Sequence, residues 1–73
     1  MMEPEGIGLN IRERRLELGL TQAQLADRAG IAAGYLSVVE CQYVHRVPRR
    51  LPDIARALKT KPEALLKGIA GSN

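Results

Sequence analysis

Apolar residues recur along this chain every three to four positions and almost never every second one. That spacing is the period of an amphipathic helix. The pattern predicts a first helix from about Ile7 to Leu18. Ile7, Ile11 and Leu18 share its stripe, with Leu9, Leu16 and Leu20 beside it or just past its end. Gly19 supplies the left-handed residue that stops such a helix. Thr21 opens a second helix, because T-Q-A-Q has capping-box spacing, with Gln24 reaching back to the cap. Leu25, Ala26 and Ala29 make its inner stripe, Gly30 ends it, and Ile31 follows as a buried plug. A third helix spans about Ala33 to Gln42. Tyr35, Leu36 and Val39 face inward, while Ala33, Gly34, Ser37, Val38 and Cys41 lie on the opposite face.

The segment Tyr43 to Arg50 carries two β-branched residues, a Pro and three Arg, and reads as an irregular loop. Pro52 suits the first turn of a fourth helix, where a missing N–H costs nothing. Leu51, Ile54, Ala55 and Leu58 would be its inner residues. Pro62 and Glu63 start a short fifth helix carrying Leu65 and Leu66, and Gly68 ends it. The expected architecture is all-α, one five-helix domain over residues 7–68. Residues 1–6 form a flexible start and 69–73 a flexible tail or truncated linker.

Composition narrows the function. With 73 residues there is room for one small core, so dimerisation is a natural source of extra stability. The chain has no Trp and no Phe, and its two Tyr are too few for the aromatic platforms on which single strands stack. The net charge is +3, and Arg46, Arg49 and Arg50 supply it from a segment (41–52) without an acid. Such a patch suits a phosphate-rich partner, although a solvated basic loop has the same composition. A lone Cys precludes an internal disulfide framework and fits a reducing, cytoplasmic setting. No stretch approaches a membrane span, and MMEPEGIG lacks the basic start of a signal peptide.

Two helices joined by a tight turn at Gly30 match a helix-turn-helix. The run T-Q-A-Q-L-A-D-R-A-G-I-A-A-G-Y-L-S-V-V-E resembles that of lambdoid phage repressors and Cro proteins, within the wider XRE-type group. The shared features are TQ at 21–22, LA at 25–26, Gly30, an apolar residue at 31, Y-L-S at 35–37 and Glu40. Upstream I-R-E-R-R-L-E-L-G-L and downstream P-R-R-L-P-D-I-A-R-A-L and E-A-L-L-K-G extend the likeness to about residues 7–68. It implies a lambda-repressor-like fold that binds double-stranded DNA. Thr21 and Gln22 fall at the DNA, Gln22 as a phosphate contact. Ala33, Gly34, Ser37 and Val38 occupy base-facing positions, and Arg46, Arg49 and Arg50 run along the backbone. Arg15 and Glu40 match a pair joining the first helix to the end of the third.

The chain departs from that pattern in four places. Ala32 stands where a Ser or Thr usually caps the reading helix, a loss of about 1 kcal/mol. Gly34 lies in the helix's first turn, at about another 0.5–1 kcal/mol relative to Ala. Gln42 replaces a terminating Gly, followed by a loop one residue longer. Ala64 replaces a larger residue near the usual dimer contact.

None of the four base-facing residues makes paired hydrogen bonds to a base edge. Ala33 and Val38 instead suit thymine methyls, and Ser37 serves as a single donor or acceptor. Specificity would then rest on methyls, water and DNA shape.

The expected function is a sequence-specific duplex-DNA-binding transcriptional regulator, a repressor acting as a homodimer. The alternative is an antitoxin or partner-docking module using the third or fifth helix on protein, since a small apolar helix face also fits a partner helix. No catalytic constellation is visible, no cofactor is implied, and one His (His45) with one Cys (Cys41) makes no metal site. Cys41 as a redox switch lacks a partner thiol or a neighbour that would activate it.

Overall fold

A computed structural model of the chain describes residues 6–41 and 47–66. Five helices and no strand are found among these residues: α1 (Ile7–Glu17), α2 (Gln22–Ala29), α3 (Ala33–Cys41), α4 (Leu51–Ala57) and α5 (Pro62–Leu65). The expected last residue of the third helix, Gln42, lies outside them. So do the first half of the Tyr43–Arg50 loop, including His45 and Arg46, the terminating Gly68, all of the expected start segment 1–6 but Gly6, and the expected tail 69–73.

Local chemistry accounts for the helix ends. α1 starts at Gly6, whose carbonyl accepts from Asn10 N–H at 3.1 Å. It stops at Gly19, at φ 72. There Leu20 N–H donates to Arg15 O and Gly19 N–H to Leu16 O, the double bond pattern of a Schellman motif. Thr21 caps α2 with a full capping box: its hydroxyl accepts from Gln24 N–H at 3.0 Å, and its own N–H donates to Gln24 Oε1 at 2.9 Å. Gly30 closes α2 at φ 73, and Ile31 N–H returns to Ala26 O. α4 begins at Leu51, with Pro52 in its first turn. It ends in another Schellman motif around Lys59, a non-Gly residue at φ 59, where Thr60 N–H donates to Ala55 O.

The stripes of all five helices meet in one core. Ile7, Ile11, Leu25, Leu36, Leu51, Ile54 and Leu58 are its largest fully buried side chains. Leu20, Ala26, Ala29, Val39, Ala55 and Leu65 complete it, with Leu18, Ile31, Tyr35 and Leu66 partly buried at its edge. Leu16 turns outward instead and is 56% exposed, because its position on α1 falls outside the arc that meets the other helices. α3 packs on α1 and α2, α2 on α4, and α5 closes against α4 and α1. Two polar links join the ends of this arrangement. Asn10 Nδ2 donates to Leu65 O at 2.8 Å, and Arg14 Nε to Leu58 O at 3.1 Å.

Candidate nucleic-acid interface

α2 and α3 are separated by Gly30, Ile31 and Ala32. Leu36 and Val39 bury one side of α3. Its opposite side is open: Ala33, Gly34, Val38 and Cys41 are exposed and Ser37 is half-buried. Val38, at 54%, is among the most exposed large apolar side chains described. The expected base-facing residues therefore lie together on one accessible helical face. No Cβ would clash at Gly34, since nothing lies within 4 Å of where one would stand. The carbonyl of Ala32 accepts the first α3 bond, from Leu36 N–H, but its methyl offers no side-chain cap.

A buried ionic joint holds this helix from behind. Arg15 Nε donates to Glu40 Oε2 at 2.8 Å, and Nη2 to Glu40 Oε1 at 3.1 Å. The remaining guanidinium arm, Nη1, donates to Leu20 O at 2.8 Å, so one side chain ties the α1–α2 turn to the last turn of α3. The Glu40 side chain is 2% exposed and that of Arg15 10%. Such a pair needs bidentate geometry and full hydrogen bonding to offset its desolvation, and both are present.

Gln22, expected at a phosphate, is placed at the N-terminus of α2, but its Nε2 donates to Glu40 Oε1 at 3.0 Å. Thr21 is exposed beside it. Arg49 and Arg50 are exposed ahead of α4. Arg50 Nε is bonded to Asp53 Oδ2 at 2.7 Å, and Asp53 Oδ1 also receives Arg56 Nη2 at 3.1 Å. No ion pair among the described residues involves Arg49.

The sequence reading passed over two residues of this site. Asp53 lies three residues from each of Arg50 and Arg56, a helical spacing that was open to view. Gly8 sits in α1 against the end of α3. A Cβ there would overlap Val39 O and come within 2.8 Å of Glu40 O. A glycine inside a helical stripe was its only signal. Among the described residues no cluster of His, Cys, Asp and Glu could hold a metal, and no helix is long and apolar enough to cross a membrane.

Residues 11–40, from the middle of α1 to the ion-paired Glu40, match the helix-turn-helix family model. The fold of the DNA-binding domain of the P22 c2 repressor superposes with TM-score 0.77 at 31% identity, covering 92% of this chain and 88% of that one. The chain belongs to the phage-repressor-like helix-turn-helix family. The biofilm master regulator SinR, solved in complex with DNA, is 30% identical at TM-score 0.73, over 81% of this chain and 95% of that one. The restriction-modification controller protein C.AhdI from Aeromonas hydrophila is likewise 30% identical at TM-score 0.74, over 82% and 91%. The all-α, lambda-repressor-like fold expected from the sequence is thus the fold observed, with α2 and α3 as the helix-turn-helix.

Proposed function

We propose that this chain is a sequence-specific duplex-DNA-binding repressor of transcription that acts as a dimer. The observation that carries the reading is the accessible face of α3. Ala33, Gly34, Ser37 and Val38 project from a helix whose back is pinned by Arg15 and Glu40, with Thr21 and Gln22 at the start of the preceding helix and Arg49 and Arg50 exposed ahead of α4. A rigid convex helix of this width fits the major groove. Basic side chains beside it supply the sequence-independent attraction to phosphate. Small side chains let the helix backbone approach the groove floor, where Ala33 and Val38 read thymine methyls. Two of the named relatives, a DNA-bound regulator and a phage repressor domain, support the same assignment. Dimerisation follows from economy of readout: one small face contacts few base pairs, and a two-fold pair of half-sites doubles the discrimination.

The test is selection of duplexes from a random pool, then titration of a selected and a scrambled duplex across a salt series. A repressor of this kind binds both with a steep salt dependence and prefers the selected duplex. Sedimentation should find two chains on each selected duplex. An absence of duplex binding at any salt would transfer the α3 face to a protein partner instead.

A further inference from the structure

The joint behind α3 contains a third member, and it is the one that faces the proposed DNA. Glu40 Oε1 is shared by Arg15 Nη2 at 3.1 Å and Gln22 Nε2 at 3.0 Å, while Oε2 takes Arg15 Nε at 2.8 Å. Gln22 is the first residue of α2 and Glu40 the penultimate residue of α3. Their hydrogen bond therefore joins the start of one helix to the end of the other, opposite the covalent turn at Gly30. The turn alone is a hinge: α3 could pivot about Ile31 and Ala32 while keeping its own backbone bonds. Packing on α1 and α2 and the Arg15 pair already restrain the far end, and the Gln22 bond adds a direct link from it to the N-terminus of α2.

We infer that Gln22 is a specificity-determining positioning residue. Held by Glu40, it sets the tilt of α3 relative to the N-terminus of α2, and so the depth at which Ser37 and Val38 meet base edges when the α2 end rests on phosphate. The chemistry suits the task. A neutral amide donates to the carboxylate without upsetting the charge balance with Arg15, whereas a cation would leave an excess charge at a buried pair and a carboxylate would repel Glu40. The inference rests on the DNA-binding reading. It differs from a simple phosphate contact in what it predicts. Phosphate contacts strengthen every duplex alike, while a residue that positions the reading helix alters the choice among duplexes.

Gln22→Met keeps the length of the side chain and its helix propensity but removes the donor. The variant and the unaltered protein are titrated with a selected and a scrambled duplex. The ratio of the two affinities is expected to fall by about fivefold, the worth of one ordinary hydrogen bond. Partial unfolding would scale both affinities together and leave the ratio unmoved. In the DNA-free protein, the side-chain amide resonances of Gln22 should shift on Glu40→Gln, and the backbone amides of Ser37 to Cys41 should shift on Gln22→Met. Equal loss of affinity for both duplexes, with those α3 amides unmoved, overturns the inference and leaves Gln22 a phosphate contact. If the unaltered protein binds neither duplex, the DNA reading falls and the specificity role with it. The amide shifts then still report whether the tether exists.

Discussion

Val38 shows most plainly how a single side chain is committed. Its isopropyl group is left 54% exposed on a helical face of small and apolar residues. On the proposed reading it is kept for a contact made with a partner. If that partner is a thymine methyl, replacing thymine by uracil at one operator position weakens binding by about 0.8 kcal/mol, one CH₂-sized group. Val38→Ala should abolish most of that penalty, and Ser37→Ala should leave it unchanged. Uracil scanning by competition titration measures both, and a silent scan over a duplex the protein still selects would exclude methyl reading. Arg15 and Glu40 are committed the other way, to the protein itself. Truncating Arg15 to Ala strands a buried carboxylate with Gln22 as its remaining donor, and should destabilise the fold by about 3–5 kcal/mol. In a double-mutant cycle with Glu40→Ala, denaturant titration should return a coupling above about 1 kcal/mol. Simple additivity would mean that the pair does not act as one.

At the scale of the helix, two glycines have opposite meanings. Gly8 of α1 faces backbone carbonyls of α3, and a methyl there must displace them. Gly8→Ala should therefore cost about 1–3 kcal/mol, as overpacking does. It should also weaken DNA binding, because the displaced carbonyls belong to Val39 and to Glu40, the anchor of α3. Gly34 of α3 faces open space. Gly34→Ala should stabilise the fold by about 0.5–1 kcal/mol, the helix-propensity difference. Thermal and denaturant unfolding of the two variants should move in opposite directions, and a stabilising Gly8→Ala would mean that α1 does not approach α3 so closely. A helix of nine residues preceded by Ala32, which has no side chain to cap it, is weak in isolation. Contact with α1 and α2, and the joint at Glu40, are what hold α3 straight.

Over the whole molecule, charge placement matters more than the total of +3. Asp53 already engages Arg50 and Arg56, so on the proposed reading Arg50 exchanges a carboxylate for a phosphate on binding, whereas Arg49 has no such pairing among the described residues. Arg49→Ala should lower the slope of log affinity against log salt by about 0.9, the value of one phosphate contact. Arg50→Ala should lower it by less, because part of that charge is already neutralised. Both should weaken selected and scrambled duplexes alike. A changed sequence preference from either variant, with the slope intact, would place that arginine in a groove instead.

What the sequence determined by itself is everything that depends on near neighbours. Helical period, the Thr21–Gln24 capping box, the left-handed Gly19 and Gly30, and the proline in the first turns of α4 and α5 all act within a few residues, and each was readable from the letters alone. The Arg15–Glu40 match was legible only through likeness to a family, because residues 25 apart carry no local signature of their meeting. Only the tertiary structure could decide the rest. Packing brought Gly8 under the end of α3, set Asn10 on Leu65 O and Arg14 on Leu58 O, and turned Leu16 outward although its residue type favoured the core. It also put the amide of Gln22 on a buried carboxylate. The physical reason is the same in each case. A local signal is the energy of one segment against its own alternatives, but the partner of a side chain that reaches across the core is chosen by where all the helices come to rest.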